Sequence, residues 1–396
     1  MKITYYNDKS IYKGGTDDVK LIVSGDFCLD GRVEKLCSSN REGEIFGEFK
    51  EQLINKDISI INIECPLTID HTPISKEGPN LIADPVCVKA LTAIDLDIAA
   101  LANNHIMDQG VKGLKSTLNH LKKNKIHTVG VGENIHESQK PLRIEKKGCR
   151  ISFLNIAEQE FSSATEKTAG AAKIDVIDNY YRITEEKNNA DFIILIIHGG
   201  NEFYSLPSPD MVKLCRFYAQ LGVSAIFSHH THCFSGYEIY NNVPIFYGLG
   251  NFIFDRPNEK RKVWNSGYFV KLLLYKGTIK EIILFPYMQF YDRVGLRKLN
   301  SQELDEFQKN FAQLNEAISS QEELLKEWNN FIRIKRNKYF TDLLSLNLIQ
   351  RALIKYNILN KWILKDKRLR ILLNLFRCLS HREATIGVLK KELKID

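Results

Sequence analysis

The 396-residue sequence lacks any apolar run as long as a membrane-spanning helix requires. Its N-terminal stretch MKITYYNDKSIYKGG is polar and does not resemble a signal peptide. The eight cysteines are scattered and include no Cys-x-x-Cys pair, which favours reduced thiols over a disulfide framework. These absences predict a cytoplasmic chain, and a hydrophobic content of 44% is sufficient for at least one buried core.

Negative charge is scarce at the C-terminal end. Residues 331–396 contain 16 Lys and Arg but 5 Asp and Glu, a net charge of +11, whereas residues 1–330 carry −4. Within this region, residues 361–382 interleave cations with large apolar side chains. Such a helix can lie on an anionic membrane at its inner face, pack against the acidic body or form a homo-oligomer, and the sequence leaves these alternatives open. No nucleic-acid-binding motif is present, so we expect no nucleic-acid partner.

Short apolar runs alternate with helical patterns between residues 20 and 249. The expected strands are 21–23, 58–63, the run in DIAALANNH, 192–197, and the runs in VSAIFSHH and VPIFYGLGN. Apolar spacing predicts helices over 111–121 and 211–221, the second capped by Asp210. This alternation predicts an α/β domain with largely parallel sheets.

The alternation ends after about Pro286, and a long stretch without proline or glycine begins at residue 301. Such a stretch strongly favours helix. The sequence therefore predicts an α/β domain over 17–295 and a basic, all-helical extension over 296–396.

Metal-capable side chains follow the predicted strands. Loops after the carboxyl ends of parallel strands converge, and there the sequence places Asp26, Asn62, Glu64, Asn104, His105, Asp108, His198, Glu202, His229, His230 and His232. Taken singly, such residues are explained as turns, helix caps or core histidines. Their recurrence after successive strands instead predicts a site for a hard or borderline divalent ion such as Mn, Zn or Fe.

Two further features lie near these motifs. Arg32 follows the first motif closely, and its guanidinium is suited to binding the phosphate or carboxylate of a substrate; a surface arginine at a helix end is the alternative. The proline-containing segment 71–85, HTPISKEGPNLIADP, is expected to form one wall of the site.

The order of the motifs resembles the CapA capsule-synthesis family of the calcineurin-like metallophosphatase superfamily. The matching pattern is Asp, Asn-x-Glu, Asn-Asn-His-x-x-Asp, His-x-Gly-x-Glu and His-His-x-His, followed by YGLGNFIFD. It covers roughly residues 19–286. The resemblance implies a four-layer α/β/β/α metallophosphatase-like sandwich, to which the helical extension is added.

The resemblance also implies roles for the residues. The implied ligands of one or two divalent ions are Asp26, Asn62, Glu64, Asn104, His198, His230 and His232. His105 is implied as the proton donor to the leaving group, held by Asp108. Glu202 is expected to fix the tautomer of His198, and Asn251 to support the metal loops, whereas His229 has no assigned role. Cys28 stands where the superfamily has histidine, so both a mononuclear and a dinuclear site are open.

The implied function is that of a metal-dependent, phosphoesterase-like hydrolase. Its substrate is expected to be an anionic small molecule or polymer linked to capsule or poly-γ-glutamate assembly. The alternative is a non-catalytic accessory or scaffold protein of a polysaccharide or polyglutamate synthesis complex, in which a metal is structural or absent.

Overall fold

The computed structural model describes residues 2–6, 15, 17–76, 78–257, 259–343 and 366–377, with residues 381, 385, 386, 388, 389 and 393 beyond them. The chain divides into two compact units, Met1–Leu325 and Lys326–Asp396. The strands are β1 (Lys2–Tyr5), β2 (Val19–Cys28), β3 (Ile58–Ile63), β4 (Ile98–Ala100), β5 (His127–Val129), β6 (Val131–Gly132), β7 (Leu142–Lys146), β8 (Cys149–Ala157), β9 (Gly170–Ala171), β10 (Phe192–His198), β11 (Ala225–His229), β12 (Tyr237–Tyr240), β13 (Val243–Phe246), β14 (Asn251–Phe254), β15 (Ser266–Tyr275), β16 (Thr278–Gln289) and β17 (Leu296–Lys298).

Helices connect and cover these strands. The α-helices are α1 (Arg32–Ser38), α2 (Lys50–Ile54), α3 (Val88–Thr92), α4 (Gly110–Lys123), α5 (Ile135–Ser138), α6 (Val176–Glu186), α7 (Pro209–Leu221), α8 (Lys262–Asn265), α9 (Ser301–Ser319), α10 (Gln321–Leu343) and α11 (Asp366–Arg377), and 3-10 helices span Glu42–Phe49 and Pro85–Cys87.

Two sheets form the first unit. Sheet 1 has the order β1-β16-β15-β2-β3-β4-β5, with β14 also paired to β2 and β17 to β16. Sheet 2 has the order β12-β13-β11-β10-β8-β7. The strands β2 to β5 run parallel in sheet 1, and β8, β10, β11 and β13 run parallel in sheet 2. Their carboxyl ends are therefore the places where side chains can converge.

Both faces of the central strands are buried in both sheets, which explains why these strands are continuously apolar. In β2, Leu21 and Val23 face the core between the sheets, whereas Ile22 faces the opposite side. In β10, Ile194 faces the same central core, and Ile193 packs beneath α6 and α7. Alternate side chains of these strands therefore pack into two different apolar cores, instead of alternating between a core and water. The resulting layers, helices over sheet 1, sheet 1, sheet 2, helices over sheet 2, confirm the predicted α/β/β/α sandwich.

The two predicted helices are present as α4 and α7, with one correction at a helix end. Ser208 caps α7, because its side-chain oxygen accepts a hydrogen bond from the backbone of Met211. Asp210, the expected cap, lies in the first turn instead, because Pro209 begins the helix. The helix ends at Gly222, which has a left-handed φ of 114°.

The first unit continues beyond residue 295. Phe307 and Phe311 of α9 are buried in the core between the sheets, and Ile318 is buried in the core beneath α7. The unit therefore ends at Leu325, and α9 belongs to it rather than to a separate extension.

The second unit, Lys326–Asp396, is helical where the structure describes it. Most of the basic segment 361–382 lies outside the described residues, apart from α11. In α11, the side chains of Ile371, Leu373 and Phe376 are exposed. Within the described parts of the chain, no helix has the length and apolarity needed to cross a membrane. Association of this segment with an anionic membrane surface stays a prediction.

Candidate metal centre

The predicted site residues meet where the carboxyl ends of the two sheets adjoin. In sheet 1, Asp26 of β2 is paired in register with Asn62 of β3 on one side and with Asn251 of β14 on the other. In sheet 2, His198 of β10 is paired in register with His229 of β11. Parallel pairing therefore brings residues that are far apart in the sequence to one edge.

A glycine permits this arrangement on the β14 side of β2. A Cβ atom on Gly25 would lie 1.9 Å from the carbonyl oxygen of Gly250, so only glycine allows the two backbones to approach. The amide of Asp26 donates a hydrogen bond to the same carbonyl at 3.2 Å. This contact fixes Asp26 against the GLGN segment.

Two groups of three buried side chains have the spacing of metal ligands, and they share one residue. The ligand atoms of Glu64, His198 and His230 all lie within 4.8 Å of one another, and so do those of Asp26, Glu64 and His232. The Nε2 atoms of His198 and His232 lie 3.8 and 3.7 Å from the same Oε1 atom of Glu64. Glu64 thus lies between two candidate ion positions.

Asn104 and His230 contact His198 on the side away from Asp26. The Nε2 atom of His198 lies 3.0 Å from Oδ1 of Asn104 and 3.1 Å from Nδ1 of His230. Its Nδ1 atom lies 3.3 Å from Nδ2 of Asn62. The three predicted ligands Asn104, His198 and His230 are therefore adjacent.

Asp26 lies on the opposite side of the cluster. It accepts hydrogen bonds from Nδ2 of Asn62 at 2.7 Å and from the backbone amide of His230 at 3.1 Å, and its Oδ1 lies 3.3 Å from Nδ1 of His229. Burial favours the neutral acid, but the nearby imidazoles of His229 and His198 outweigh burial and hold the pKa of Asp26 below its usual range. Asp26 is therefore ionised, and His229, which had no assigned role, is its neighbour.

The chemistry of the donor set fits a divalent cation. Both carboxylate oxygens of Glu64 are buried, and within the described residues neither has a hydrogen-bond partner. Burial and then the charge of Asp26 raise the pKa of Glu64 well above its usual range, and burial lowers the pKa of His198 well below its usual range. Two buried carboxyl groups beside several imidazoles are costly without a cation, and a divalent ion would bind to this set of donors.

The backbone conformation after β11 sets the direction of the side chains of His230 and His232. His230 and His232 have left-handed φ values of 89° and 53°, which are unusual for residues with a side chain. Nδ1 of His232 lies 2.9 Å from Oδ1 of Asn251, and Nδ2 of Asn251 donates to the carbonyl of Trp264 at 3.1 Å. Asn251 therefore orients the ring of His232, and its role as a support of metal-binding loops stays a prediction.

His105 and Asp108 form a pair beside the cluster. Nδ1 of His105 lies 2.6 Å from Oδ2 of Asp108, which places the ring proton on Nδ1 and leaves Nε2 for other chemistry. Lys76, in the predicted wall segment, forms a buried ion pair with Asp108, and its Nζ lies 3.2 Å from Nδ1 of His105. Lys76 was not among the predicted site residues, and its position in that polar loop was the only signal in the sequence.

Two predicted site residues, Arg32 and Glu202, do not make the expected contacts. Arg32 is bound bidentately by Asp255, with distances of 2.8 and 2.6 Å, so its guanidinium is not available to a substrate anion. Glu202 is exposed and is not a partner of His198, whose ring nitrogens contact Asn62, Asn104 and His230. The helical spacing assumed for Glu202 does not apply, because left-handed φ values at Gly200 and Phe203 turn the chain after β10.

Fold and site together define an α/β/β/α protein with a candidate metal centre at the carboxyl ends of its strands. The sequence pattern described as "Bacterial capsule synthesis protein PGA_cap" matches residues 20–256, more than half of the chain. The chain belongs to this family, which confirms the resemblance seen in the sequence.

Known proteins are similar in sequence to part of this chain. It is 29% identical over 238 residues to the PGA biosynthesis protein CapA of Bacillus subtilis (strain 168), covering 59% of this chain and 62% of that protein. It is 27% identical over 255 residues to the capsule biosynthesis protein CapA of Bacillus anthracis, with 62% of each chain covered. The chain thus spans less than two thirds of the length of these relatives.

Among solved structures, a hypothetical protein from Thermus thermophilus aligns with a TM-score of 0.45 at 13% identity, covering 68% of this chain and 99% of that one. A 5'-nucleotidase precursor from the same organism aligns with a TM-score of 0.41 at 13% identity, covering 75% of this chain and 58% of that one.

Proposed function

We propose that this protein is a metal-dependent hydrolase that cleaves a phosphoester or related acyl bond in an anionic capsule polymer or in its precursor. The observation that carries the proposal is the sharing of buried Glu64 between two ligand groups. Membership of the capsule-synthesis family supports the anionic polymer as the substrate class.

The proposal assigns one or two divalent ions to the cluster. Glu64, His198 and His230 would hold one ion and Asp26, Glu64 and His232 the other, with Asn62 and Asn104 as neighbouring oxygen donors. When bound, such an ion supplies activation of water and neutralisation of substrate charge. Mn, Zn and Fe all suit this mixture of carboxylate and imidazole donors.

In the proposed reaction, a side chain of the protein protonates the leaving group. With Nδ1 of His105 bonded to Asp108, protonation of the ring places a proton on Nε2, which can be given to the leaving oxygen. Lys76 forms an ion pair with the fully buried side chain of Asp108. Asp108 therefore holds the ring of His105 in one orientation, and Lys76 holds Asp108.

The experiment combines metal analysis with turnover. Elemental analysis of the purified full-length protein is expected to find one or two equivalents of a divalent metal. Hydrolysis of a chromogenic phosphodiester and of poly-γ-glutamate is then followed with added Mn²⁺. We expect His198→Ala to lower turnover by about a hundredfold or more, because it removes a ligand.

His136→Ala is the matched control, because His136 is an exposed histidine that pairs with Glu166 away from the cluster. It is expected to leave turnover unchanged. Stoichiometric metal with no turnover on either substrate would contradict the hydrolase proposal and favour an accessory protein of a polymer-synthesis complex.

A further inference from the structure

The strand β14 connects two ligands of one candidate ion position. Asn251, its first residue, is paired in register with Asp26 of β2, and the side-chain Oδ1 atom of Asn251 lies 2.9 Å from Nδ1 of His232. Asp26 and His232, together with Glu64, form one of the two groups with the spacing of metal ligands. A displacement of β14 would therefore disturb two of the three ligands of this group.

The side-chain amide of Asn251 has one orientation that suits its neighbours. Its Nδ2 atom donates to the carbonyl oxygens of His232 and Trp264 at 3.4 and 3.1 Å, so its Oδ1 atom accepts the hydrogen on Nδ1 of His232. In the neutral ring this leaves Nε2 without a hydrogen, and Nε2 lies 3.7 Å from Oε1 of Glu64. The nitrogen that can bind a metal is therefore the one that faces the other ligands.

Two side chains of β16 bind the backbone of β14. The hydroxyl of Tyr287 donates to the carbonyl oxygen of Asn251 at 2.9 Å. Gln289 accepts a hydrogen bond from the amide of Phe254 through Oε1 at 2.9 Å, and its Nε2 donates to the carbonyl oxygen of Asn251 at 3.3 Å. The side chain of Gln289 thus bonds both ends of β14, as a neighbouring strand would. Both side chains are buried, so the loss of either would leave polar backbone groups with fewer partners.

A glycine in β15 gives the side chain of Tyr287 its path to β14. Gly267 is paired in register with Tyr287, and a Cβ atom on Gly267 would lie 2.5 Å from the hydroxyl oxygen of Tyr287. Real Cβ atoms do not approach an oxygen so closely, so a larger residue here would displace the tyrosine. The hydrogen bond from Tyr287 to Asn251 therefore depends on glycine at position 267.

Gln289 also holds Trp264, which packs against His232. Nε2 of Gln289 donates to the carbonyl oxygen of Trp264 at 3.3 Å, and the indole N–H of Trp264 donates to the carbonyl oxygen of Phe254 at 3.0 Å. The ring centre of Trp264 lies 5.0 Å from that of His232. β16 therefore supports His232 in two ways, by the hydrogen bond through Asn251 and by ring packing through Trp264.

The other candidate ion position has different supports. In the group of Glu64, His198 and His230, the Nε2 atom of His198 lies 3.0 Å from Oδ1 of Asn104, and its Nδ1 atom lies 3.3 Å from Nδ2 of Asn62. Asn62 belongs to β3, and Asn104 follows β4. The two ion positions thus share Glu64 but are supported by different parts of sheet 1.

We propose that Tyr287 and Gln289 are positioning residues for the ion position of Asp26, Glu64 and His232, so that β16 sets the affinity of this position separately from that of the other. The inference rests on the proposed function, because that function assigns divalent ions to the cluster. Neither Tyr287 nor Gln289 is a member of a ligand group. They act through Asn251 and Trp264, which hold the ring of His232.

The test is calorimetric titration of Mn²⁺ into the full-length protein after a chelator has removed its metal. Tyr287→Phe and Gln289→Met each remove a hydrogen bond to the carbonyl oxygen of Asn251 with little change in side-chain size. We expect wild type to bind two ions. Each variant is expected to bind one of these ions about tenfold more weakly and the other with unchanged affinity, and the double variant should weaken the first ion further.

Tyr218→Phe is the matched control. Tyr218 of α7 is also fully buried, and its hydroxyl donates to Oδ1 of Asn179 in α6 at 2.9 Å. Like Tyr287→Phe, this variant loses one buried hydroxyl and its hydrogen bond, but it should bind Mn²⁺ as wild type does. Urea unfolding of the metal-free proteins measures how far each tyrosine variant is destabilised, which separates the loss of one ion from a general loss of stability.

Three results would overturn the inference: unchanged binding in the β16 variants, equal weakening of both ions, or the same weakening in Tyr218→Phe. If wild type binds a single ion, weaker binding in the β16 variants alone supports the inference, and unchanged binding contradicts it.

Turnover is measured on the same preparations, so that the inference and the proposed function can fail separately. Selective weakening of one ion in a protein without turnover counts against the hydrolase alone. Turnover in a protein whose ion binding is unaffected by the β16 variants counts against the positioning residues alone. A wild-type protein that binds no Mn²⁺ contradicts both.

Discussion

Glu64 is a buried carboxyl group on which both candidate ion positions depend. Glu64→Gln keeps the shape and removes the charge, so we expect the variant to lose bound metal and turnover. In the presence of a chelator, its free energy of unfolding should equal or exceed that of wild type, because neither oxygen of Glu64 has a hydrogen-bond partner among the described residues and burying its charge is costly. Elemental analysis and urea unfolding measure the two effects. If the metal-free variant were less stable than metal-free wild type, Glu64 would also stabilise the fold. That result would contradict its assignment as a metal ligand alone.

Lys271 is a buried cation of β15 that gives the protein a pH dependence separate from the metal centre. Its Nζ donates to the carbonyls of Gln52 and Asn55, and burial, followed by the charge of Lys20, lowers its pKa from 10.5 to about 8. Between these pH values the unfolded chain binds the proton more strongly than the folded one, so the contribution of Lys271 to stability rises with pH.

Lys271→Met removes this contribution. We therefore expect the free energy of unfolding of wild type, minus that of the variant, to increase as pH rises from about 8 to about 10.5. Urea unfolding of both proteins across this range measures the difference, in which the titration of other groups cancels. A difference that does not change with pH would show that Lys271 titrates normally in the fold.

At the scale of elements, the segment between β3 and α3 is held to the loop after β4 by the ion pair of Lys76 and Asp108. Their side chains are 3% and 0% exposed. We expect Lys76→Met to lower the free energy of unfolding by roughly 3 to 5 kcal/mol, because it leaves the charge of Asp108 buried without its cation. Urea unfolding measures the loss.

The double variant Lys76→Met, Asp108→Asn is expected to recover part of that loss, since no unpaired charge remains. Lys112→Met, which changes an exposed lysine of α4, is the control and should have little effect. If the double variant were less stable than Lys76→Met, the contribution of the ion pair would have to lie elsewhere, for example in the hydrogen bond from the amide of Leu81 to Asp108.

The strands that were predictable, such as β3, β10 and β11, are runs of mostly apolar residues buried on both faces, and such runs are visible in the sequence. The meeting of the candidate ligands was predictable for a related reason, since polar residues at the ends of parallel strands share an edge whatever their separation in sequence. β10 illustrates both: its apolar run and terminal His198 are where the sequence indicated.

The pairing of cations with carboxylates was not predictable. Arg32 and Asp255 are 223 positions apart, and Lys76 meets Asp108 from a loop whose path has no periodic pattern. The position of Glu202 depended on backbone angles at Gly200 and Phe203 that spacing alone does not reveal. Such contacts follow from loop geometry, which is set by tertiary packing rather than by local preference.

At the scale of the whole molecule, α9 contributes to the first unit as a part of its core. Phe311 is fully buried and packs against Tyr237 and Tyr268, with ring centres 5.5 and 5.2 Å away. We expect Phe311→Ala to lower the free energy of unfolding of the unit by about 3 to 5 kcal/mol. Phe376→Ala in α11, where the ring is exposed, is the control and should cost little. A small effect of Phe311→Ala, measured by urea unfolding, would mean that α9 is dispensable to the sandwich.

The sequence distance between Asp26 and His230 has a consequence for protein synthesis. The two residues touch although 204 positions separate them. During translation, the carboxylates of sheet 1 leave the ribosome long before the histidines after β11 exist, and the two sheets can close on each other only when those strands have emerged. We therefore expect binding of an ion to await the finished sandwich, and a ribosome stalled before residue 230 would release a chain that lacks His230 and His232.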